Sequence, residues 1–210
     1  MKLYGHALSS ASYRVRIALA LKGMQVSTVL LDLRAGEQTL EQYLRVNCQG
    51  LVPALALGDG TVLTQSLAII EYLDEAHPDP PLLPRTPAAR ARVRSMALSI
   101  ACDVHPLNNL RVLRYLEHDL HQDKAARDAW YGHWIRLGFD ALERRLADDA
   151  SAGRFCHGDA PTLADVCLVP QVANARRFAV DLAPHPRIVA IDAACREIPA
   201  FQSAAPDRQV

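Results

Sequence analysis

The sequence predicts a mixed α/β domain followed by an all-helical domain. Three observations lead to this prediction. Strand-like and helix-like segments alternate up to residue 76, a proline-dense segment follows at 77–87, and apolar residues then recur at helical spacing almost to the end. With 210 residues, half of them hydrophobic, the chain can bury a sizeable core.

In the first domain the predicted order of elements is β-α-β-α-β-β-α. Strands are expected at 2–5, 28–33, 53–57 and 61–63, and helices at 12–22, 39–45 and 67–76. Gly58-Asp59-Gly60 is typical of a hairpin turn, and Ser66 is expected to N-cap the third helix. This order implies a mixed sheet with helices on its faces.

The proline-dense segment predicts the domain boundary, because prolines exclude a regular helix or an inner strand. We place the first domain at 1–80, a linker at 81–87 and the helical domain at 88–210. Helices are expected at 88–103, 107–118, 124–147, 163–178 and 186–197. Within them, Thr162 and Asp165 form a capping-box pattern, and Trp130 and Trp134, four residues apart, should pack together.

Composition indicates which binding partners the protein can have and in which cellular compartment it is expected. Lys plus Arg (23) equals Asp plus Glu (23), so the net charge of zero argues against nucleic acid or an anionic membrane as partner. The sequence has no apolar run of membrane-spanning length and no signal-peptide pattern at its start. Its five cysteines are scattered without a CxxC pair, so we expect a reduced cytoplasmic protein with no metal site.

Hydroxyl side chains crowd the predicted junction between the first strand and the first helix. Ser9, Ser10 and Ser12 precede the apolar face of that helix, and one serine suffices for an N-cap. A strand-to-helix turn exposes backbone N–H groups at the positive end of a helix dipole. The turn therefore favours binding of a thiolate, a phosphate or a carboxylate over capping alone.

Two further segments suit a peptide-like ligand. Pro53 begins a strand and is either a cis-proline, which would leave the backbone of Val52 to pair with an extended peptide, or an ordinary edge-strand proline. Gln65 and Ser66 stand at a helix start, where an amide and a hydroxyl suit a carboxylate, but these residues taken by themselves favour capping alone.

Taken together, these segments resemble one family over essentially the full length. The segments that carry the resemblance are Ser9–Gly23, Leu51–Leu55, Gln65–Leu73, Pro81–Pro84, Asp159–Asp165, Val169–Phe178 and Val180–Leu182. They are similar to the zeta class of the glutathione transferases. The resemblance implies a thioredoxin-like glutathione-binding domain, a helical substrate-binding domain and a homodimer. It also implies glutathione-dependent cis–trans isomerisation of a maleyl-type dicarboxylic keto acid in aromatic catabolism.

The resemblance also implies roles for individual residues. Ser9 would donate its hydroxyl to the glutathione thiolate, with Ser10 and the Ala11 N–H beside it. The remaining glutathione contacts would come from Gln38, Val52, Pro53, Gln65 and Ser66, completed by Asp103, His105 and Asn109, the last three from the partner subunit. Arg111 and Arg177 would bind the carboxylates of the substrate, because a guanidinium pairs with a carboxylate at two points.

Departures from the family pattern keep two alternatives open. Leu8 stands where an arginine is usual, Ala7 where an aromatic residue is usual, and Ala11 where a cysteine is common. The predicted glutathione-binding residues therefore match the family pattern, whereas the part of the site that would contact the substrate differs from it. Leu8 and Ala7 favour the first alternative, a transferase or dehalogenase that conjugates a small electrophile. The second alternative is a non-catalytic binding module, and the retained glutathione residues argue against it.

Overall fold

The computed structural model describes residues 1–209 and divides into two compact units. Met1–Leu82 and the C-terminal segment from Glu197 form one, here called the α/β unit. Leu83–Arg196 form the other, the helical unit. No helix among residues 1–209 is long and apolar enough to span a bilayer.

A four-stranded mixed sheet forms the centre of the α/β unit. Its strands are β1 (Lys2–Gly5), β2 (Ser27–Leu30), β3 (Ala54–Ala56) and β4 (Val62–Thr64), in the spatial order β2-β1-β3-β4. β1 pairs in parallel with β2 and antiparallel with β3, which pairs antiparallel with β4. Leu3 of β1 lies opposite Leu55 of β3, and both are buried in the core. The predicted mixed sheet is confirmed.

Three α-helices alternate with the strands along residues 1–76 of this unit. They are α1 (Ser10–Leu21), α2 (Glu41–Leu44) and α3 (Ser66–Ala76). α1 begins two residues earlier than predicted, because Ser9 rather than a later serine provides the N-cap. The prediction that Ser66 is an N-cap was wrong: Gln65 occupies that position, and Ser66 is the first helical residue.

The helical unit contains five α-helices. They are α4 (Pro87–Leu98), α5 (Leu110–His118), α6 (Lys124–Asp148), α7 (Leu163–Arg177) and α8 (Pro186–Arg196). The helix predicted at 88–103 is α-helical only to Leu98 and continues as a π-helical turn, Ser99–Val104. A 3-10 turn, His105–Asn108, follows it, so the helix predicted from 107 starts at Leu110.

The predicted capping box at the start of α7 is confirmed. Asp165 Oδ2 accepts hydrogen bonds from the Thr162 N–H (2.7 Å) and hydroxyl (2.8 Å), and Oδ1 accepts from the Cys156 N–H (2.8 Å). Burial raises the pKa of the Asp165 carboxyl, since the site is closed to water. One side chain therefore caps the helix and ties it to the preceding loop.

The predicted tryptophan pair also packs as expected. The rings of Trp130 and Trp134 on α6 meet edge-on, with centroids 5.5 Å apart. Trp130 Nε1 donates to the Leu107 carbonyl at 2.8 Å, which ties α6 to the 3-10 turn before α5.

A short C-terminal helix changes the expected domain boundary. The helical domain was predicted to run to residue 210, but α9 (Pro199–Ala204) packs against α1 in the α/β unit. Phe201 and Ala204 are buried, and the Tyr13 hydroxyl donates to the Phe201 carbonyl at 3.4 Å. The C-terminal segment thus covers apolar surface on α1.

The five cysteines differ in their surroundings. Cys48 and Cys102 are exposed, Cys156, Cys167 and Cys195 are buried, and all five are free thiols. Burial raises the pKa of the Cys156 and Cys195 thiols well above the usual value.

Gly138 provides a test of packing in the helical unit. A Cβ at this position in α6 would overlap Val104 Cγ2, which the flanking structure cannot absorb cheaply. We expect Gly138→Ala to lower the free energy of unfolding by about 1 kcal/mol or more in total. This is the net change, after the gain of about 1 kcal/mol that alanine has over glycine in a helix. Urea denaturation measures the change.

The matched control is Gly58→Ala, because a Cβ there meets nothing within 4 Å. The double variant Gly138→Ala/Val104→Ala should recover stability relative to the sum of the single changes, since it removes the overlap. Equal stability of the Gly138→Ala and Gly58→Ala proteins would contradict the packing argument.

Candidate functional site

Hydrogen bonds close a ring around the turn that leads into α1. The Ser9 N–H donates to the His6 carbonyl (3.1 Å), the Ser12 N–H donates to Ser9 Oγ (3.2 Å), and the His6 N–H donates to Ser12 Oγ (3.3 Å). Ser12 is fully buried, whereas Ser9 is only half-buried. The ring fixes the turn, which we call the serine turn (residues 6–12).

The ring determines what the Ser9 hydroxyl can do. Its oxygen already accepts the Ser12 N–H, so its own hydrogen can be donated to a ligand. The first N–H groups of α1 lack intrahelical partners and carry the positive end of the dipole. Ser10 is buried, so Ser9 is the more accessible of the two predicted hydroxyls.

The Val52–Pro53 bond is cis, which settles the alternative left open by the sequence. Just before it, the Leu51 carbonyl accepts hydrogen bonds from the Tyr43 hydroxyl and from Asn47 Nδ2, both at 2.7 Å. Burial raises the pKa of Tyr43 to about 12, so its hydroxyl remains a donor at neutral pH. The segment is therefore held firmly at the entry to β3.

Gln65 and Ser66 stand together at the start of α3. Gln65 has a φ of 67°, and its Nε2 donates to Gln49 Oε1 at 3.1 Å. Ser66 Oγ accepts from Nη1 of the buried Arg14 at 3.3 Å. A positive φ is uncommon for glutamine and is often found at ligand-binding positions.

Gln38 lies in a 3-10 turn, Glu37–Thr39, and is largely buried. Its Oε1 has no hydrogen-bond partner among residues 1–209, which leaves an acceptor for a ligand donor. A Cβ at Gly50, whose φ is +61°, would stand 3.1 Å from the Gln38 carbonyl. The close approach of these two backbones thus favours glycine.

The three residues of the helical unit that were predicted to complete glutathione binding lie in three different local structures. Asp103 is exposed and borders a cavity of about 280 Å³, and His105 begins the 3-10 turn. Asn109 N-caps α5 by accepting the Arg111 N–H at 3.0 Å. The other residues lining the cavity are Ser99, Val104, Trp134, Leu137, Gly138, Ala141, Leu142 and Arg145.

Asn108 is a candidate that sequence reasoning missed. It is 5% exposed, and neither Nδ2 nor Oδ1 has a hydrogen-bond partner within the described part of the chain. Asn109, which the family resemblance implied, instead uses its side chain as a helix cap. Nothing in two adjacent asparagines indicates which of them will be buried with an unpaired amide.

The two predicted substrate arginines lie on different helices. Arg111 is exposed in the first turn of α5, and Arg177 is exposed at the end of α7. The Arg177 guanidinium is 5.2 Å from the ring centroid of Phe178, which stacks on Tyr131 with centroids 3.6 Å apart. Burial raises the pKa of Tyr131, and the charge of Arg177 partly opposes that rise.

No metal site accompanies these residues in the described structure. Residues 1–209 contain no group of three or more His, Cys, Asp or Glu side chains that could hold a metal ion.

Family comparisons agree with both units. A profile for the glutathione S-transferase N-terminal domain matches residues 8–76, and one for the C-terminal domain matches residues 124–196. A maleylpyruvate isomerase of a Ralstonia species is 51% identical over 209 residues, covering 100% of this chain and 98% of the relative. The chain belongs to the glutathione S-transferase family.

Solved structures narrow the class. A maleylpyruvate isomerase described as a bacterial zeta-class glutathione transferase superposes with a TM-score of 0.97 at 50% identity, covering 100% of this chain and 98% of that one. A maleylacetoacetate isomerase from Methylobacterium extorquens AM1, solved with malonate and glutathione, gives 0.98 at 43% identity with the same coverage. Within its family, the chain is a zeta-class member.

Backbone strain at Gln65 can be measured directly. Because its φ is positive, we expect the Gln65→Gly protein to be more stable than the Gln65→Ala protein by about 1 kcal/mol. Both variants lose the Gln49 contact, so their difference isolates the backbone. Thermal unfolding of the two proteins tests this.

A control comes from the same helix. At the exposed Ala68 of α3 the usual order should hold, so that Ala68→Gly lowers stability by about 1 kcal/mol. A Gln65→Ala protein that is more stable than the Gln65→Gly protein would show that position 65 is unstrained.

Proposed function

We propose that this protein is a glutathione-dependent cis–trans isomerase of a maleyl-type dicarboxylic keto acid in aromatic catabolism. The observation that carries the proposal is the serine turn, in which Ser9 can donate a hydroxyl hydrogen at the N-terminus of α1. Relatives of full length and about half-identical sequence bear isomerase names, which supports the same activity.

The α/β unit fits glutathione in its chemistry. A small peptide with a thiol and two carboxylates needs hydroxyl and N–H donors together with an acceptor for its peptide N–H groups. Ser9 and the start of α1 supply the donors, and the unpaired Oε1 of Gln38 supplies the acceptor. In this proposal the backbone of Val52, just before Pro53, pairs with the cysteinyl part, while Gln65 and Ser66 bind the γ-glutamyl group.

The protein's contribution to the reaction is mainly electrostatic. When bound, glutathione supplies a thiolate whose reversible addition to the cis double bond allows rotation and returns glutathione unchanged. The Ser9 hydroxyl, the N–H groups near Ser10 and Ala11, and the positive end of α1 all favour the charged sulfur. The same donors would lower the thiol pKa from about 8.5 by one or more units.

The remaining roles belong to the helical unit in this proposal. Arg111 and Arg177 bind the two carboxylates of the substrate through paired N–H donors. Asp103, His105 and Asn109 complete glutathione binding from the partner subunit of a homodimer. We also infer a cytoplasmic location, which is supported by five free cysteines, two of them exposed.

Leu8 favours a second candidate function. It is 43% exposed at the start of the serine turn, where the family pattern has an arginine. Without that charge-assisted contact, worth about 1.5–3 kcal/mol, a dicarboxylate is held less tightly and a small uncharged electrophile becomes a better substrate. A conjugating transferase or dehalogenase is therefore the alternative.

Turnover against glutathione separates the two functions. The purified protein is incubated with maleylacetoacetate or maleylpyruvate and a small amount of glutathione. We expect many moles of trans product per mole of glutathione, because isomerisation returns it. Product limited to the glutathione present would favour the transferase, and failure to titrate with glutathione would favour a binding module.

Single substitutions test the residue assignments. We expect Arg177→Ala to raise KM for the dicarboxylate by about tenfold or more, since a charge-assisted contact is lost. The control is an uncharged electrophile conjugated by the same variant, whose KM should not change. An equal loss for both substrates would assign Arg177 to packing on Phe178 and Tyr131 rather than to carboxylate binding.

Leu8→Arg tests the departure from the family pattern. We expect it to raise kcat/KM for the dicarboxylate by about tenfold, because an exposed position at the turn gains a bidentate donor. Leu8→Gln is the uncharged control of similar length. Equal effects of the two substitutions would show that charge at position 8 is irrelevant.

A further inference from the structure

Arg16 bonds two backbone segments of the α/β unit that are far apart in sequence. It lies on α1 and is 8% exposed. Its Nη1 donates to the His6 carbonyl (3.3 Å), Nη2 to the Ala7 carbonyl (2.9 Å) and Nε to the Ala204 carbonyl (2.9 Å). One guanidinium thus bonds both the serine turn and the end of α9.

Arg16 and Ser9 share one hydrogen-bond acceptor, the His6 carbonyl. The His6 carbonyl accepts the Ser9 N–H at 3.1 Å as well as Arg16 Nη1. A guanidinium is planar, so donors on its two ends fix the directions of the carbonyls that they bond. The orientation of the peptide units before Ser9 therefore depends on where Arg16 is held.

The C-terminal helix holds Arg16 in turn. Nε is bonded to the last residue of α9, and the neighbouring Tyr13 hydroxyl bonds the Phe201 carbonyl at 3.4 Å. Burial lowers the pKa of Arg16 to about 10, which still leaves the side chain charged at neutral pH. The three donors consequently persist under physiological conditions.

We propose that Arg16 is a positioning residue that sets the geometry of Ser9 and links the C-terminal helix α9 to thiol activation. This inference rests on the proposed function, because it assumes that Ser9 holds the glutathione thiolate. The planar fork, rather than the charge alone, performs the role, since two carbonyls of the serine turn and one of α9 must be bonded at once.

The test measures the thiol pKa of bound glutathione, from thiolate absorbance against pH, in wild-type protein and in the Arg16→Lys and Arg16→Met variants. We expect the pKa to rise by about half a pH unit or more in both variants. The value of kcat should fall about tenfold, because small displacements of a catalytic group are costly. KM for glutathione should change less than about twofold, since Gln65 and Ser66 are untouched.

The matched controls are Arg45→Lys and Arg45→Met. Arg45 C-caps α2 in the same unit, is exposed, and pairs with Glu41 at 2.6 Å. These variants should keep the wild-type thiol pKa, because an exposed pair contributes little. Folded Arg16 variants with the wild-type thiol pKa would overturn the proposal. An Arg16→Lys protein with wild-type pKa beside a shifted Arg16→Met protein would also overturn it, because charge alone would then suffice.

A measurement on the unaltered protein guards against variants that fail to fold. In hydrogen exchange with and without glutathione, we expect residues 6–12 and residues 199–204 to gain protection together. Protection of the serine turn alone would overturn the link to α9. Wild-type protein that leaves the thiol pKa of glutathione unchanged would instead overturn the proposed function, so the two failures are distinguishable.

Discussion

The hydrogen bond from the Ser12 amide to the Ser9 hydroxyl is the interaction on which the geometry of the serine turn depends. It uses the oxygen of Ser9 as an acceptor and so directs the hydroxyl hydrogen away from the helix. A second bond, from the His6 N–H to Ser12 Oγ (3.3 Å), holds the end of β1 close to the start of α1. Gly5 ends β1 beside Ser12, where a Cβ would stand 3.1 Å from Ser12 Oγ. Strand end, turn and helix start thus form one tightly packed unit.

Local sequence patterns sufficed for much of the fold. The order of strands and helices, the capping box of Thr162 and Asp165, and the packing of Trp130 on Trp134 all follow from short spacings, which local backbone geometry controls. The family resemblance supplied the rest of the assignment, because it joined segments that periodicity alone leaves unrelated. The roles given to individual residues of the site remain predictions.

Contacts between distant residues could not be predicted in the same way. Arg16 and Ala204 are 188 residues apart, and no pattern links an arginine to a carbonyl so far along the chain. The short α9 has too few residues for a clear period, so its place in the α/β unit was missed. The preference of serine for N-caps led to the wrong prediction at Ser66. The N-cap of α3 is Gln65, whose positive φ no residue preference predicts.

The distribution of thiols has a practical consequence for studying this protein. Cys48 is exposed in the α/β unit and Cys102 is exposed in the helical unit, while the other three cysteines are buried. A maleimide dye at neutral pH should therefore react at one native position in each unit, and raised thiol pKa values protect Cys156 and Cys195. Each unit can thus be labelled with a fluorophore without any engineered residue.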